Sequence, residues 1–572
     1  MKSMVCGIDL GTTNSVIAFL NNGRPEAIPV EEGTALLPSV VSLEENNGDY
    51  LIGRKAKNRR AAFPDATITS IKRLMGKTER VEAGRKVFSP EDISSFILKR
   101  LADRAAERLG QSVEKVVITV PAYFDDAQRR ATIRAGELAG LEVVRIVNEP
   151  TAAALVYDHV PSKADSGSPY VLVYDLGGGT FDVSILEMKG EIKEVLASSG
   201  DTSLGGDDFD ELLKNHLLGE LNRQTAGKGV LEGPGLRVRL LDIAERTKIA
   251  LSDQPYVRIN EVALTMFEGQ PLNLDLEVSR AQFQSLTADL IDRTMSKVEE
   301  VLREAQLEPD EIGKVILVGG ATRMPAVFEA LSELFEHPME HSVDPDLCVA
   351  LGAAIQGGLI TGDAVGQILL DVTAHSLGLK TLDSLDQVTS DPDHFSTIIR
   401  RNTRIPVSRA EVFRTVVDRQ PGVNVEVFQG ESLSCQENTL VGEFFYPLEP
   451  SPAFSPVVVE FAYDREGLVR ISIDQKGFDN RKEVTLDIRK RKINEAAESQ
   501  PEEAPVNYLA EKAARLAREE RLTEEVRREL GKVRASYEEA IRSGKEENQV
   551  EDLEDQLLEL IDRAEEGLES GE

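Results

Sequence analysis

Between residues 4 and 360, short β-branched apolar runs alternate with segments whose apolar positions recur at helical spacing. Val116–Val120, Tyr170–Tyr174 and Val315–Val318 are runs of the first kind, each followed by turn residues, and Phe96–Leu109 is of the second. This alternation predicts an α/β architecture. The period changes over residues 373–488, where Val423, Val425 and Val427 alternate with polar neighbours, as do Val469, Ile471 and Ile473, and Val484, Leu486 and Ile488. That pattern predicts an antiparallel β domain with one buried face, with Asp464–Gly467 as a hairpin turn. Residues 495–505, EAAESQPEEAP, are acidic and Pro-containing and read as a hinge. Helical spacing returns in Val526, Leu530, Val533, Tyr537 and Ala540, and again in Val550, Leu553, Leu557, Ile561 and Ala564. Thr523 ahead of Glu524 suits a helix start and Gly544 a break, so a small helical bundle is the simplest tail.

Composition narrows the function. A chain of 572 residues exceeds a single core, and 41 % apolar residues suffice for several. There is no Trp, only 5 % of residues are aromatic, and the formal net charge is −33. Nucleic acid and anionic membranes are poor partners for such a surface, and base stacking is poorly provided for. No apolar run is long enough to span a bilayer. The start, MKSMVCGIDLGTT, lacks the apolar core of a signal peptide. Cys6, Cys348 and Cys435 are far apart and without metal-type spacing, as expected of buried thiols in a reducing cytoplasm.

An internal repeat carries the chemistry. GIDLGTTNS (Gly7–Ser15) and YDLGGGTFDVS (Tyr174–Ser184) each run from strand to Asp-Leu-Gly to a turn of small residues. Glycine lets backbone N–H groups approach a phosphate, and Thr hydroxyls add donors. Two such turns facing each other would place Asp9 and Asp175 beside phosphates, with Mg²⁺ held between them through water. Gly319–Gly320 after Val315–Val318 suits a third close approach, or a routine strand-to-helix turn. Phosphoryl transfer further needs a cation and a group that orients water. Lys72 in SIKRLMG and Glu149 in VNEPTAAA are candidates, a surface lysine and a helix-capping glutamate being the plainer readings.

The motifs GIDLGTTNS, SIKRLMG, VITVPAYFDDAQRRAT, AGLEVVRIVNEPTAAAL, YDLGGGTFDVSIL, GGDDFD, VGGATRMP and DPDLCVALGAAIQ together closely resemble the DnaK-type seventy-kilodalton heat-shock chaperones, in that family's order. ILLDVTAHSLGL, RRNTRIPVSRAEVF and VNVEVFQGE continue the match. The segment between Lys72 and Pro121 is shorter than in standard members, which makes the divergent HscC-like bacterial members the closest in kind.

The resemblance implies a multidomain chain. An actin-like, two-lobed α/β ATPase domain would occupy 1–366, an interdomain linker 367–372, an antiparallel β-sandwich peptide-binding domain 373–494, and an acidic helical lid or tail 495–572. It implies an ATP-dependent chaperone that binds extended apolar segments, with ATP/ADP, water-held Mg²⁺ and K⁺ as cofactors. Unfolded clients and a J-domain co-chaperone would be partners, and a nucleotide-exchange factor is left open. The alternative is a regulatory relative in which ATP is mainly structural.

By the same resemblance, Lys72, Glu149, Asp175 and Thr180 are catalytic. Gly11, Thr12, Thr13, Asn14, Gly177, Gly178, Gly179, Thr180, Gly205 and Gly206 surround the phosphates. Asp9 and Asp175 hold Mg²⁺ through water, with Asp9, Asp175, Thr180 and Asp182 near potassium sites. Glu245, Lys248 and Ser252 bind adenosine with Gly320, Arg323 and Asp346, and Gly319 belongs to the same nucleotide site. Pro121 and Arg129 relay nucleotide state, and Arg145, Asn148, Thr151 and Asp371 form the J-domain surface. Leu379, Leu382, Phe413, Val416, Val423 and Val425 line the peptide groove. The chain departs from the family at Ile249, where an adenine-stacking Arg is usual, at Ala321, at Arg414 and Val416 on the substrate arch, and in the long acidic segment Asp383–His394.

Overall fold

The computed structural model describes residues 4–31, 33–44, 49–159, 168–189, 192–225, 230, 233–335, 339–340, 343–362, 368–370, 372–373, 375–382, 393–463, 468–487, 492–495, 513, 516–517, 522–542, 553, 556–557, 560–561 and 563–564. The chain forms two compact units, Met1–Ala374 and His375–Glu572.

The first unit contains the sequence repeat as a repeat of topology. Val5–Asp9 pairs in parallel with Lys115–Val120 and antiparallel with Asn14–Asn21. Tyr170–Leu176 likewise pairs in parallel with Ile312–Val318 and antiparallel with Phe181–Lys189. Each Asp-Leu-Gly strand is thus an inner strand of its own six-stranded sheet. Such strands are covered on both faces, which is why they read as continuous apolar runs: Val116, Val117 and Ile118, and Leu172 and Val173, are fully buried.

One apolar cluster fills each lobe, around Ile8, Leu98 and Ile118 in the first and around Tyr174, Phe181 and Leu317 in the second. A third cluster joins them through the helices Glu149–His159 and Cys348–Thr361. Their crossing depends on Gly352, where a Cβ would lie 1.8 Å from the Ala152 carbonyl oxygen. Helix Pro90–Leu109, which contains the predicted Phe96–Leu109, starts six residues earlier. Its start is a capping box between Ser89 and Asp92 with Pro90 at the first position.

The second sheet has a strand outside the expected globule. Ile368–Leu370, within the presumed linker, adds in parallel to Ile192–Glu194 as the edge strand. The first compact unit accordingly extends past residue 366 to Ala374. An apolar ILL triplet can dock as a strand because the open edge supplies its backbone partners.

Among the described residues of the second unit every ladder is antiparallel. His394–Ile399, Leu377–Thr381, Gly422–Gln429 and Thr439–Pro447 make a four-stranded sheet. Val407–Arg414, Pro456–Tyr463, Leu468–Gln475, Lys482–Asp487 and Lys492–Glu495 make a five-stranded one. Val469, Ile471, Ile473 and Val484 are fully buried between them, each worth about 1.5–3 kcal/mol of burial. Helix Glu524–Arg542 begins directly after Thr523, whose hydroxyl accepts the Val526 N–H. Its apolar face joins Leu516, Leu557 and Ile561 in a separate cluster, and Val412 of the sandwich packs against that cluster. The Asp464–Gly467 turn, residues 496–505 and Gly544 lie outside the described residues. Among the described residues, no helix is long and apolar enough to cross a membrane.

Candidate functional site

The two Asp-Leu-Gly turns meet face to face. A Cβ at Gly178 would lie 1.9 Å from Thr13 Oγ1, and one at Gly179 would lie 2.7 Å from Thr12 Oγ1. Only glycine permits that approach. The first turn is fixed from behind by Ser39, whose N–H donates to the Thr13 carbonyl and whose hydroxyl donates to the Gly11 carbonyl. The second is fixed by the helix Gly206–Gln224: Gly206 N–H donates to the Gly177 carbonyl at 2.9 Å, and Asp207 N–H to the Gly178 carbonyl at 2.8 Å. Gly319, at φ 82°, would carry a Cβ 2.4 Å from the Leu176 carbonyl oxygen, so the third glycine turn abuts the second Asp-Leu-Gly strand.

Between these turns lies a cavity of about 520 Å³. Of the sequence-derived residues it is lined by Asp9, Gly11, Thr12, Thr13, Asn14, Lys72, Glu149, Asp175, Gly177, Gly178, Thr180, Gly206, Glu245, Lys248, Ser252, Gly319, Gly320, Arg323 and Asp346. Gly179, Gly205 and Asp182 do not line it. Gly179 is the part of the second turn packed on Thr12, a Cβ at Gly205 would lie 2.5 Å from the Gly179 nitrogen, and Asp182 accepts a hydrogen bond from the Tyr123 N–H at 3.0 Å.

Charge is concentrated at the floor. Lys72 Nζ donates to Glu149 Oε1 at 2.6 Å, and their side chains are 6 % and 8 % exposed. Burial works against the Lys72 charge, yet Glu149, Asp9 and Asp175 hold its pKa above the ordinary lysine value. Burial, then the Glu149 charge, pushes Asp9 up to about 7, with Lys72 opposing. The same two causes push Asp182 to about 7 and Asp175 well above the carboxylate range. Buried carboxylates raised by one another are what a cation relieves. Among the described residues no three His, Cys, Asp or Glu side chains cluster for direct ligation. The donor set therefore fits Mg²⁺ that keeps waters and takes phosphate oxygens better than one caged by protein.

At the other end the side chains expected to meet the nucleoside are already engaged. Lys248 Nζ donates to Asp210 Oδ2 at 2.8 Å and to the Gly206 carbonyl at 2.9 Å. Both Glu245 oxygens accept from Lys57 Nζ at 2.8 Å. Arg323 donates to Asp344 at 2.7 Å and Asp346 at 3.0 Å. Ile249 lines the cavity and is 58 % exposed, so no cation stands there to stack on a base.

Lys57, Asp207, Asp208 and Asp210 did not emerge from sequence reasoning as site residues. The GGDDFD motif held three of them, and the signal available was an acidic cluster directly after a glycine pair.

Among the residues expected to relay nucleotide state, Arg129 joins three segments. Its Nε donates to the Phe124 carbonyl, and its Nη2 to the Ala122 carbonyl and to Asn148 Oδ1 at 2.7 Å. Pro121 is buried at the end of Lys115–Val120, and Arg145 lies on Glu142–Asn148 one residue pair from Val116. Asp371 lies outside the described residues. In the sandwich, Leu379 and Val425 are buried in the core, Phe413 and Val423 are half-buried against it, and Leu382 and Val416 are exposed, at 45 % and 42 %. These six therefore grade from core to surface. Residues 383–392 of the acidic segment lie outside the described residues.

Two lobes built on repeated sheets, closing glycine turns and carboxylates on one cavity, define a nucleotide-binding cleft of the actin-like kind. A family model for Hsp70 protein matches residues 5–570. The chain belongs to the Hsp70 family, whose members are ATP-dependent chaperones: ATPases that bind ATP or ADP with Mg²⁺ and act on unfolded clients with J-domain co-chaperones.

Proposed function

We propose that this chain is a DnaK-type member, nearest the HscC-like branch, that hydrolyses ATP in the interlobe cavity and uses the change to control its hold on extended apolar segments. The observation that carries the reading is the buried Lys72–Glu149 pair beside Asp9 and Asp175, at the bottom of a cavity walled by the two glycine turns. Thr12, Thr13, Gly177, Gly178 and Thr180 cradle the phosphates. The Lys72 ammonium meets the γ-phosphate, and Glu149 and Asp175 orient the attacking water, so that ATP and water become ADP and phosphate. Asp9 and Asp175 would hold Mg²⁺ through water, and the ion would supply charge neutralisation on the phosphates. Positioning and charge, without a covalent intermediate, suffice for this chemistry.

Coupling runs through Ile368–Leu370. A strand that can pair with Ile192–Glu194 or leave it is a two-position element, and a ligand moves such an element only by favouring one position. Clients bind at the exposed Leu382 and Val416 together with the half-buried Val423 and Phe413, and the tail cluster that packs on Val412 acts as lid. The working compartment is the cytoplasm. Single-turnover ATP hydrolysis with and without an unfolded apolar peptide tests the reading. Peptide should accelerate hydrolysis, and a chain that binds ATP without cleaving it would instead be a regulatory relative.

A further inference from the structure

The cleft has a second chamber, of about 470 Å³, beside the first. Thr12, Thr13, Asp207, Asp210 and Glu245 line both chambers. The partition is thin. A Cβ at Gly179 would lie 2.6 Å from Thr12 Cγ2 and 2.8 Å from Arg73 Nε. One glycine and one threonine thus separate the Arg73 guanidinium from the phosphate end of the nucleotide cavity.

The chain builds this arrangement at some expense. Lys72 and Arg73 are consecutive on the short turn Ile71–Leu74, which is entered through Ser70 at φ 54°. A non-glycine residue is uncommon there and strained. Ser70 is held in place by its hydroxyl, which donates to Asp207 Oδ2 at 2.6 Å. The result is that Lys72 lines the nucleotide cavity and Arg73 lines the second chamber. Two Arg73 nitrogens donate to the Asp208 carboxylate, while its buried Nε has no hydrogen-bond partner. Asp210 and Glu245 are neutralised by Lys248 and Lys57, so the shared wall is less repulsive to an anion than its acid count suggests.

We propose that the second chamber is the exit for the inorganic phosphate product, and that Arg73 is the group that receives it. The inference rests on the ATPase reading above. A nucleotide whose γ-phosphate lies against the Thr12–Thr13 turn leaves its phosphate product beside the Thr12–Gly179 partition, with Arg73 on the far side. An arginine fork is matched to phosphate in geometry and charge, and a departing phosphate competes with Asp208 for it.

The test uses the full chain with Mg²⁺ and ATP in single turnover. Quenched flow follows bond cleavage, a fluorescent phosphate sensor follows phosphate release, and a fluorescent ADP analogue follows ADP release. Arg73→Met should slow phosphate release relative to cleavage by about tenfold, the worth of roughly one charge-assisted hydrogen bond. Asp208→Asn, which frees the fork, should speed it. Because the Arg73–Asp208 pair also ties segments across the cleft, a merely structural role would shift ADP release by the same factor as phosphate release. That result overturns the proposal, as does phosphate release that keeps pace with cleavage as in the unaltered chain in both variants. Should Arg73→Met fold poorly, Asp208→Asn alone applies the same criteria. An unaltered chain that cleaves no ATP refutes the ATPase reading and this one with it, whereas cleavage with no separation in the variants refutes this one alone.

Discussion

Lys72→Ala separates the electrostatic role of the cleft floor from its catalytic role. The ammonium sits 2.6 Å from Glu149 Oε1 with both side chains nearly buried, and removing one partner of a buried pair costs about 3–5 kcal/mol. The unit that carries it spans 374 residues, for which the unfolding entropy is about 0.8 kcal/mol/K. The melting temperature of that unit should therefore fall by about 4–6 °C at pH 8. Asp9 and Asp175, already raised and then without the Lys72 charge that opposes the rise, can escape by taking up protons, so the deficit should shrink toward pH 5. Hydrolysis meets no such relief. The charge is needed where water and γ-phosphate meet, and its loss should lower the single-turnover rate by at least about a hundredfold while nucleotide titration stays near the unaltered affinity. Hydrolysis within twofold of the unaltered chain would refute the assignment of the floor. An unchanged melting temperature at both pH values would refute the electrostatic argument.

Ile249→Arg should tighten ADP binding in a calorimetric titration, by less than about tenfold, since a cation placed on a base is worth at most about 1 kcal/mol at an exposed site; unchanged or weaker affinity would put the base elsewhere. Asp182, raised to about 7 from 3.8, binds its proton more tightly folded than unfolded, so its contribution to stability is lost as pH rises between those values. Asp182→Asn should accordingly raise the melting temperature of the metal-free chain more at pH 8 than at pH 4.5, and an equal shift at both would contradict the sign. Leu369→Asp with Asp371→Ala should keep basal ATPase and lose peptide stimulation, and stimulation that persists would show that strand docking does not carry the coupling. Val423→Phe should abolish binding of a fluorescent apolar peptide with the sandwich melting transition unchanged; a transition lowered by the about 1–3 kcal/mol of an overpacked core would assign Val423 to the core instead.

What the sequence made legible was local. The Asp-Leu-Gly repeat is a strand, a carboxylate and a glycine turn within a dozen residues, so its strand ends could be read directly, and Asp9 and Asp175 line one cavity. The partner of Lys72 lies 77 residues away, and that of Glu245 lies 188 away. No spacing rule reaches across such gaps, because the packing of two lobes decides them. The alternation in Val423, Val425 and Val427 showed a β-strand with one apolar side. It could not show that Val425 and Val427 are buried in the core while Val423 is only half-buried, since that depends on where the strand runs off the facing sheet. Helical spacing in the tail predicted apolar faces, and their contact with Val412 needed the sandwich surface as well.

The strand Ile368–Leu370 has a practical meaning for anyone dividing the chain. Cut after residue 366, where the family resemblance puts the end of the nucleotide domain, the fragment would lose the last strand of its second sheet. Ile192–Glu194 would then present an open row of amide and carbonyl groups, and such a row recruits whatever extended chain is nearby. A fragment meant to be the simple half of the protein would be the adhesive one. Its self-association in dilute solution would report on a missing triplet and say little about the cleft.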